Sequence, residues 1–385
     1  MKIFPNVCKY NVLRNSALNN LVQNWGFFSK EEFENNPNSL MMLDIDFGRK
    51  CSLSCPACFR RNNNVDNDDF TDLSYDELIS VIIDAKNIGL KYIKICGAGE
   101  PFENPLLVRF AEELTSMNIG LSIFTKGHIL GDDNLTKKIF YNDGINTADE
   151  LAQKLFNLNT SILISAQSFD PIIQDKLVGN ISGYTLLRNK AIELLATIGF
   201  NKCSPTRLAL CSNPITRLNY PEIFTIYKYC RERNILPINA ALMTSGNQLT
   251  QSFLNKYDVS NQEKEELYFQ IYKYNIDNGI QDIQSITSEG ISCLPGIHPC
   301  NQIVSGLYLT SNGNVVRCPG DACTPLGNTH NVSISKLWHN CKEWKYSKMY
   351  NVSCPYKDGI TLPKNIYLNV LSRLEQSNKH YSKQL

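Results

Sequence analysis

The sequence contains no long hydrophobic run and no excess of charge of one sign. No segment approaches the roughly 18 consecutive apolar residues that a membrane-spanning helix requires, and residues 1–20 lack the apolar stretch of a signal peptide. The 38 Lys and Arg residues are balanced by 37 Asp and Glu residues, so a basic nucleic-acid-binding surface is not indicated. We therefore expect a cytoplasmic protein with neither a membrane nor a nucleic acid as a partner.

Cysteine, in contrast, is abundant, with 14 among 385 residues. Because cytosolic thiols stay reduced, clustered cysteines in such a chain indicate metal ligation more than disulfide bonds. One group lies in "CSLSCPACFRR" at residues 51–61. The second group lies in a Gly- and Pro-containing tract near the C-terminus and comprises Cys293, Cys300, Cys318, Cys323, Cys341 and Cys354. We expect the other five cysteines to be packing residues, because they fall in helical or strand patterns.

Short β-rich segments alternate with amphipathic helical segments between residues 41 and 246. This pattern predicts a parallel sheet with crossover helices. Six strands are predicted, at residues 41–47, 91–97, 121–127, 161–168, 207–213 and 236–243. Six βα units are fewer than the eight of a closed barrel, so the expected fold is α/β, a partial (β/α)6 TIM-like barrel.

The pattern changes after about Thr250, to a helical stretch followed by the Cys-rich tract. We therefore expect four parts. The third contains a linker helix and a small Cys-rich α+β domain, and the fourth is a C-terminal helix or tail. Their predicted bounds are 1–40 for an N-terminal extension, 41–249 for the barrel, 250–363 for the Cys-rich domain and 364–385 for the tail.

Most of the chemically interesting segments directly follow predicted strands. The three-cysteine loop follows the first strand and "GAGEP", at residues 97–101, follows the second. Ligands bind at this edge of parallel α/β folds. Since a structural metal or an iron–sulfur cluster usually takes four protein ligands, three cysteines leave one position open for chemistry.

Cys51, Cys55 and Cys58, followed by the aromatic Phe59, form a CxxxCxxC pattern. This pattern resembles the signature of the radical S-adenosylmethionine (radical SAM) superfamily, and "AGEP" is similar to its GGEP motif, with Ala98 in place of the first glycine. The resemblance implies that the three thiolates hold a [4Fe–4S] cluster, whose fourth iron is chelated by S-adenosylmethionine. Reductive cleavage of that cosubstrate then gives methionine and a 5′-deoxyadenosyl radical.

The same resemblance implies residues that bind S-adenosylmethionine. Gly97 and Gly99 belong to the GGEP-like loop, where the absence of a side chain at Gly99 lets the backbone approach the methionine part. Glu100 is expected to set the geometry around the ammonium group. Ser165 matches a serine near the ribose and Met243 a position near the adenine, although both residue types are also ordinary in a strand or a core.

The segment from Cys300 through Gly313 to Cys318 resembles the opening of the SPASM domain pattern. Independently, "LYLTSNGNVVRC" predicts a β-hairpin that turns at Asn312–Gly313 and brings the two cysteines together. The dense run of cysteines that completes the SPASM pattern is absent. The resemblance therefore implies a truncated SPASM or "twitch"-like domain with one auxiliary iron–sulfur cluster, expected to be [4Fe–4S].

The first choice of auxiliary ligands is Cys293, Cys300, Cys318 and Cys354, with Cys341 or Cys323 as a substitute for one of them. A zinc ribbon, or a cluster that only stabilises a loop-rich domain, remains an alternative.

The resemblance implies an oxidoreductase or maturase that abstracts hydrogen from a substrate carbon and receives electrons from a donor such as flavodoxin or ferredoxin. We expect modification of a peptide or protein by crosslinking, epimerisation or oxidation, although strand one begins too early for an N-terminal leader-recognition domain. The alternatives are a small-molecule dehydrogenase or epimerase acting on a sugar or aminocyclitol, and an iron–sulfur or zinc scaffold without catalysis.

The sequence identifies no general acid or base. Lys126 and Gln167 are weak candidates because they lie at predicted strand ends. Further candidates are His128, Arg207, Asn213 and His298.

Overall fold

Nine strands form one sheet in the computed structural model, which describes residues 1–10, 17–61, 70–321, 325–341 and 354–381. Their order across the sheet is β6-β5-β4-β3-β2-β1-β7-β8-β9. The strands are β1 Met42–Ile45, β2 Tyr92–Ile95, β3 Gly120–Thr125, β4 Ser161–Ser165, β5 Leu208–Cys211, β6 Leu236–Ile238, β7 Gly306–Leu309, β8 Asn314–Val316 and β9 Gly327–Asn328.

Strands β1 to β6 are parallel and lie side by side in chain order. The predicted α/β partial barrel is therefore confirmed, and each of the six predicted segments overlaps one observed strand. The observed strands are shorter than predicted mainly at their C-terminal ends, where the last predicted residues belong to loops. The apolar residues of these strands are almost fully buried against the crossover helices.

Crossover helices separate the parallel strands, and further helices follow β6. The helices are α1 Lys30–Asn35, α2 Tyr75–Asn87, α3 Leu107–Ser116, α4 Asp133–Phe140, α5 Ala148–Asn157, α6 Pro171–Leu177, α7 Tyr184–Ile198, α8 Tyr220–Arg231, α9 Gln251–Tyr257, α10 Asn261–Asp277, α11 Ile283–Glu289, α12 Gln302–Ser305, α13 Ile334–Asn340 and α14 Ile366–Tyr381. None of the helices in the described part of the chain has the length and apolar character needed to cross a membrane.

Local sequence signals explain how the crossover helices begin and end. Ser74 accepts a hydrogen bond from the Glu77 N–H at 3.3 Å, and Glu77 Oε2 accepts from the Ser74 N–H at 2.8 Å. This is the capping box expected at the start of α2. The helix ends before Gly89, whose φ of +109° turns the chain toward β2.

The predicted hairpin in the Cys-rich tract is confirmed by the antiparallel pairing of β7 with β8, in which Tyr308 faces Val316. Gly313 turns the hairpin with a φ of +82°. β7 also pairs in parallel with β1, with Leu43 opposite Leu307. The hairpin thus extends the sheet of the barrel, a long-range pairing that local sequence signals do not indicate.

Candidate active site

A cavity of about 700 Å³ opens where the parallel strands end. Loop residues that follow all six parallel strands line it, and side chains inside the barrel, such as Phe124, form its wall. Both cysteine groups reach this cavity. Its lining cysteines from the two groups are Cys51, Cys55, Cys58, Cys293, Cys300, Cys318 and Cys354.

The backbone of the three-cysteine loop is held by neighbouring elements. Ser52 donates its N–H to Glu103 Oε1 at 2.7 Å, and Gln248 Nε2 donates to the Ala57 carbonyl at 2.7 Å. Leu53 is buried and belongs to a small apolar cluster under the loop. The loop is therefore fixed in place while its cysteines remain partly exposed to the cavity.

The chemistry of the three donors fits an iron–sulfur cluster. Partial desolvation raises the pKa of the Cys51 thiol to about 11, so iron must displace a proton to bind there. Within the described ranges, no group of three or more His, Cys, Asp or Glu side chains is arranged to hold one metal ion. A [4Fe–4S] cluster has a different requirement, because each thiolate binds a different iron atom.

The GGEP-like loop packs directly on the segment that precedes Cys51. Gly99 has a φ of +80°, and a Cβ there would lie 2.6 Å from the carbonyl oxygen of Gly48. The Glu100 N–H donates to the Lys50 carbonyl at 2.8 Å. A side chain at position 99 would therefore separate the two loops that resemble the superfamily motifs.

The buried carboxylate of Glu100 connects the ends of β2 and β3. Its Oε2 accepts the Lys126 N–H at 2.8 Å, and its Oε1 accepts the Thr125 hydroxyl. These bonds fix the loop backbone around the cavity. The predicted role of Glu100 toward the ammonium group of S-adenosylmethionine stays a prediction.

Ser165 and Lys126 lie together at the ends of β4 and β3. Lys126 Nζ donates to Ser165 Oγ at 2.8 Å; Lys126 lines the cavity and Ser165 is fully buried. Met243 also lines the cavity, but it lies in a loop beyond Ile238, where β6 ends, and not at the end of the strand as predicted. The ribose and adenine contacts expected for Ser165 and Met243 stay predictions.

The other polar candidates have different positions. Gln167 lines the cavity, but its amide bonds to the Asn213 carbonyl at 3.2 Å and to Gln174 at 3.0 Å, so it holds neighbouring loops. Arg207 precedes β5 and donates to the Thr160 carbonyl at 2.9 Å. That is the opposite end of the strand from the cavity, so Arg207 lies away from the other candidates.

The two histidine candidates pack outside the cavity lining. His128 Nε2 lies 3.4 Å from Ser52 Oγ and its ring contacts Tyr184, so it supports the three-cysteine loop. His298 is buried with its ring against Phe27 and its Nδ1 2.8 Å from the Pro299 carbonyl.

The four first-choice auxiliary cysteines come together on one wall of the cavity. Cys293 forms thiol hydrogen bonds with Cys300 and Cys354. Because the Cys293 thiol donates to Cys300, the pKa of Cys300 falls to about 6. Cys318 is half-buried and lies near enough to interact electrostatically with Cys300 and Cys354, and desolvation raises the pKa of its thiol. This set of thiols fits a second cluster.

The substitute ligands are placed less favourably. Cys341 is buried at the end of α13, where its N–H bonds to the Leu337 carbonyl at 3.1 Å, and it is not among the described residues that line the cavity. Cys323 lies outside the described residues.

Two buried charges that the sequence analysis missed lie inside the barrel. Lys94 Nζ is 2.8 Å from Asp44 Oδ1 and donates to Gln302 Oε1 at 2.8 Å. Both Asp44 and Lys94 line the cavity. The signal was present in "MMLDIDF", where two aspartates alternate within a predicted buried strand, since a buried charge requires a partner.

Residues 45–210 match the family model described as the radical SAM superfamily. The chain carries a radical SAM domain. The predicted family and fold are thus confirmed, with the domain starting at the last residue of β1 and ending within β5.

Solved structures support the same fold. Streptococcus suis SuiB bound to precursor peptide SuiA is 16% identical, with a TM-score of 0.53 over 82% of this chain and 68% of that one. Native anSMEcpe with bound AdoMet and Kp18Cys peptide is 14% identical, with a TM-score of 0.57 over 90% of this chain and 99% of that one. Comparison with curated protein sequences gives no match. The structural similarity therefore extends beyond the residues that the family model matches.

Proposed function

We propose that this chain cleaves S-adenosylmethionine reductively and uses the resulting radical to modify a peptide or protein. The observation that carries the proposal is one cavity of about 700 Å³ that reaches both cysteine groups. Cys51, Cys55 and Cys58 would hold the first cluster at the edge of the barrel. The four auxiliary cysteines would hold a second cluster across the cavity.

When bound, the first cluster would supply one electron to the sulfonium of S-adenosylmethionine, giving methionine and a 5′-deoxyadenosyl radical that would take a hydrogen atom from a substrate carbon. The chain's residues hold and orient the reactants. Gly99 keeps the GGEP-like loop close to the cluster loop, and Glu100 fixes its backbone against β3. Apolar lining residues such as Phe124 and Leu294 exclude water from the site.

The auxiliary cysteines support a role in handling the product electron. Lys94 lies close enough to Cys300 for its charge to lower the pKa of that thiol, although the hydrogen bond from Cys293 has the larger effect. A buried ammonium group also stabilises added negative charge on a nearby cluster. We infer that the auxiliary cluster accepts an electron from the product or anchors it. We also propose that the chain divides near residue 250 into the barrel and the Cys-rich domain that would hold this cluster.

A peptide substrate is supported by two structural neighbours. SuiB was solved with a precursor peptide and anSMEcpe with a Kp18Cys peptide. The cavity volume lies within the usual range for a ligand of moderate size, so one peptide side chain with its backbone could enter it.

Anaerobic reconstitution tests the two-cluster proposal. Wild-type protein should bind about eight irons, four for each of two [4Fe–4S] clusters, and should release 5′-deoxyadenosine from S-adenosylmethionine after reduction. Cys55→Ala should abolish this release, whereas the control Cys8→Ala, which changes an exposed cysteine outside both groups, should not. No release by the wild type would contradict the proposal, and undiminished release by Cys55→Ala would do so too.

Substrate class is tested separately with cell extract. If the substrate is a peptide or protein, the extract fraction that is consumed in the reaction is retained by a small-cutoff filter and destroyed by protease. An active fraction that passes the filter and survives protease would assign a small molecule instead.

A further inference from the structure

Asp46 lies directly after β1 and is almost fully buried, yet it lies outside every motif noted in the sequence. Its Oδ2 accepts hydrogen bonds from Arg60 Nη2 at 2.8 Å and from the Ser311 N–H at 3.1 Å. Its Oδ1 accepts from the Tyr308 hydroxyl at 2.5 Å and from the Ala98 N–H. We call these five residues the Asp46 network.

The four donors of the Asp46 network belong to three separate segments of the chain. Ala98 is in the GGEP-like loop, and Arg60 follows the last cysteine of the cluster loop. Tyr308 and Ser311 are in the hairpin between Cys300 and Cys318. One carboxylate therefore contacts the segments that support both proposed metal sites.

The network requires a carboxylate at position 46. All four partners are donors, and only a carboxylate offers acceptor sites on both side-chain oxygens. The guanidinium of Arg60 compensates the buried charge and also lies 5.3 Å from the ring centre of Tyr308. An asparagine would turn an NH2 group toward two donors and lose their bonds.

Gly97 shows how closely the carboxylate is fitted. A Cβ at this position would lie 1.8 Å from Asp46 Oδ1 and 2.7 Å from the Tyr308 hydroxyl. The GGEP-like loop can approach the carboxylate only because position 97 has no side chain. Gly97, which was predicted to bind S-adenosylmethionine, therefore also has a packing role against Asp46.

We propose that Asp46 is a positioning residue that couples the S-adenosylmethionine site to the auxiliary hairpin. By holding the Ala98 N–H and Arg60 against the hairpin, it keeps the GGEP-like loop and the cluster loop in the conformation that binds S-adenosylmethionine. The affinity for S-adenosylmethionine then depends on correct assembly of the auxiliary half. This inference rests on the proposed function, because both sites must exist for them to be coupled.

The expected effect is a loss of affinity for S-adenosylmethionine without loss of iron. Reconstituted Asp46→Asn should retain wild-type iron content and bind S-adenosylmethionine about tenfold more weakly, within the range typical of coupled sites. Tyr308→Phe, which removes one donor and preserves the ring, should weaken binding in the same direction by a smaller factor. Asp277→Asn is the matched control, since Asp277 is half exposed and pairs with Lys273 on the surface of α10.

A double-mutant cycle tests the coupling itself. Cys318→Ala should weaken binding of S-adenosylmethionine in the wild-type background and have little additional effect in the Asp46→Asn background. Equilibrium binding of labelled S-adenosylmethionine to the oxidised holoprotein, which cannot cleave it, gives all four affinities. If the two substitutions weaken binding additively, the sites are independent and the coupling is contradicted.

The outcomes separate this inference from the proposed function. Wild-type protein that binds neither iron nor S-adenosylmethionine would overturn both. If Asp46→Asn binds S-adenosylmethionine with the same affinity as wild type, only the role of Asp46 is overturned. If Asp46→Asn does not fold, Tyr308→Phe decides, and an affinity equal to that of wild type would overturn the inference.

Discussion

At the scale of single residues, a comparison of two glycines shows where a side chain would clash with neighbouring backbone. Gly99 and Gly144 have nearly the same backbone conformation, with φ values of +80° and +74°. A Cβ at Gly99 would lie 2.6 Å from the Gly48 carbonyl oxygen and 3.0 Å from that of Lys50, whereas a Cβ at Gly144 would have no atom within 4 Å. The comparison isolates the cost of steric contact from the cost of the backbone angle.

We therefore predict that Gly99→Ala is much more harmful than Gly144→Ala. Both substitutions incur the cost of about 1–2 kcal/mol for an L-residue in the left-handed region. Only Gly99→Ala also pushes the GGEP-like loop away from the cluster loop, so it should lower the melting temperature further and weaken S-adenosylmethionine binding. Equal melting temperatures and affinities for the two variants would contradict this account.

The sequence revealed site residues whose signals are local. The three cysteines lie within eight residues of each other and Gly99 belongs to a short motif, so spacing alone was sufficient to propose them. Asp46 and Lys94 were missed because their partners are distant in the chain. Tyr308 is 262 positions from Asp46 and Gln302 is 208 from Lys94, and only the fold brings them together.

At the scale of elements, neighbouring strands position the buried charges of the barrel. Asp44 on β1 pairs in register with Lys94 on β2, and their side chains are 3% and 6% exposed. Burial raises the pKa of Asp44 although Lys94 opposes this shift, which shows how strongly the site disfavours an isolated carboxylate. Each charge is tolerated because the other is present.

We predict that Lys94→Met destabilises the protein by about 3–5 kcal/mol, because it leaves the Asp44 carboxylate buried without its cation. The double variant Asp44→Leu with Lys94→Met should recover most of that stability. Urea denaturation of the apoprotein measures both effects. A double variant as unstable as Lys94→Met alone would show that the pair itself is not the cause.

Helices and turns defined by neighbouring residues were predicted well. The pairing of strands that are distant in the chain was not predicted. The capping box of α2 and the hairpin turn at Gly313 follow from a few adjacent residues. The parallel pairing of β1 with β7 joins residues more than 260 positions apart. No periodicity or turn signal encodes such a pairing, and the Cys-rich tract was therefore expected to form a domain of its own.

At the scale of the whole molecule, the barrel and the hairpin share one hydrophobic core. Leu43 and Ile45 of β1 are fully buried and pair in register with Leu307 and Leu309 of β7. Trp338 of α13 packs into the same core. The edge of β1 is thus covered by residues from the C-terminal part of the chain, and unfolding of one part should expose the other.

We predict that Leu43→Ala and Leu307→Ala each destabilise the same cooperative transition by about 2–5 kcal/mol, the usual cost of truncating a buried leucine. Calorimetry of the whole chain should show one transition that contains β1 and β7, shifted to lower temperature by either substitution. Leu186→Ala is the control, because Leu186 is 51% exposed and its truncation should leave that transition nearly unchanged. If Leu307→Ala instead produced a separate early transition while the remaining one kept its temperature, the hairpin would be an independent unit. The coupling between the two metal sites would then lack its structural basis, because Asp46 can transmit a change in the hairpin only while β7 stays bonded to β1.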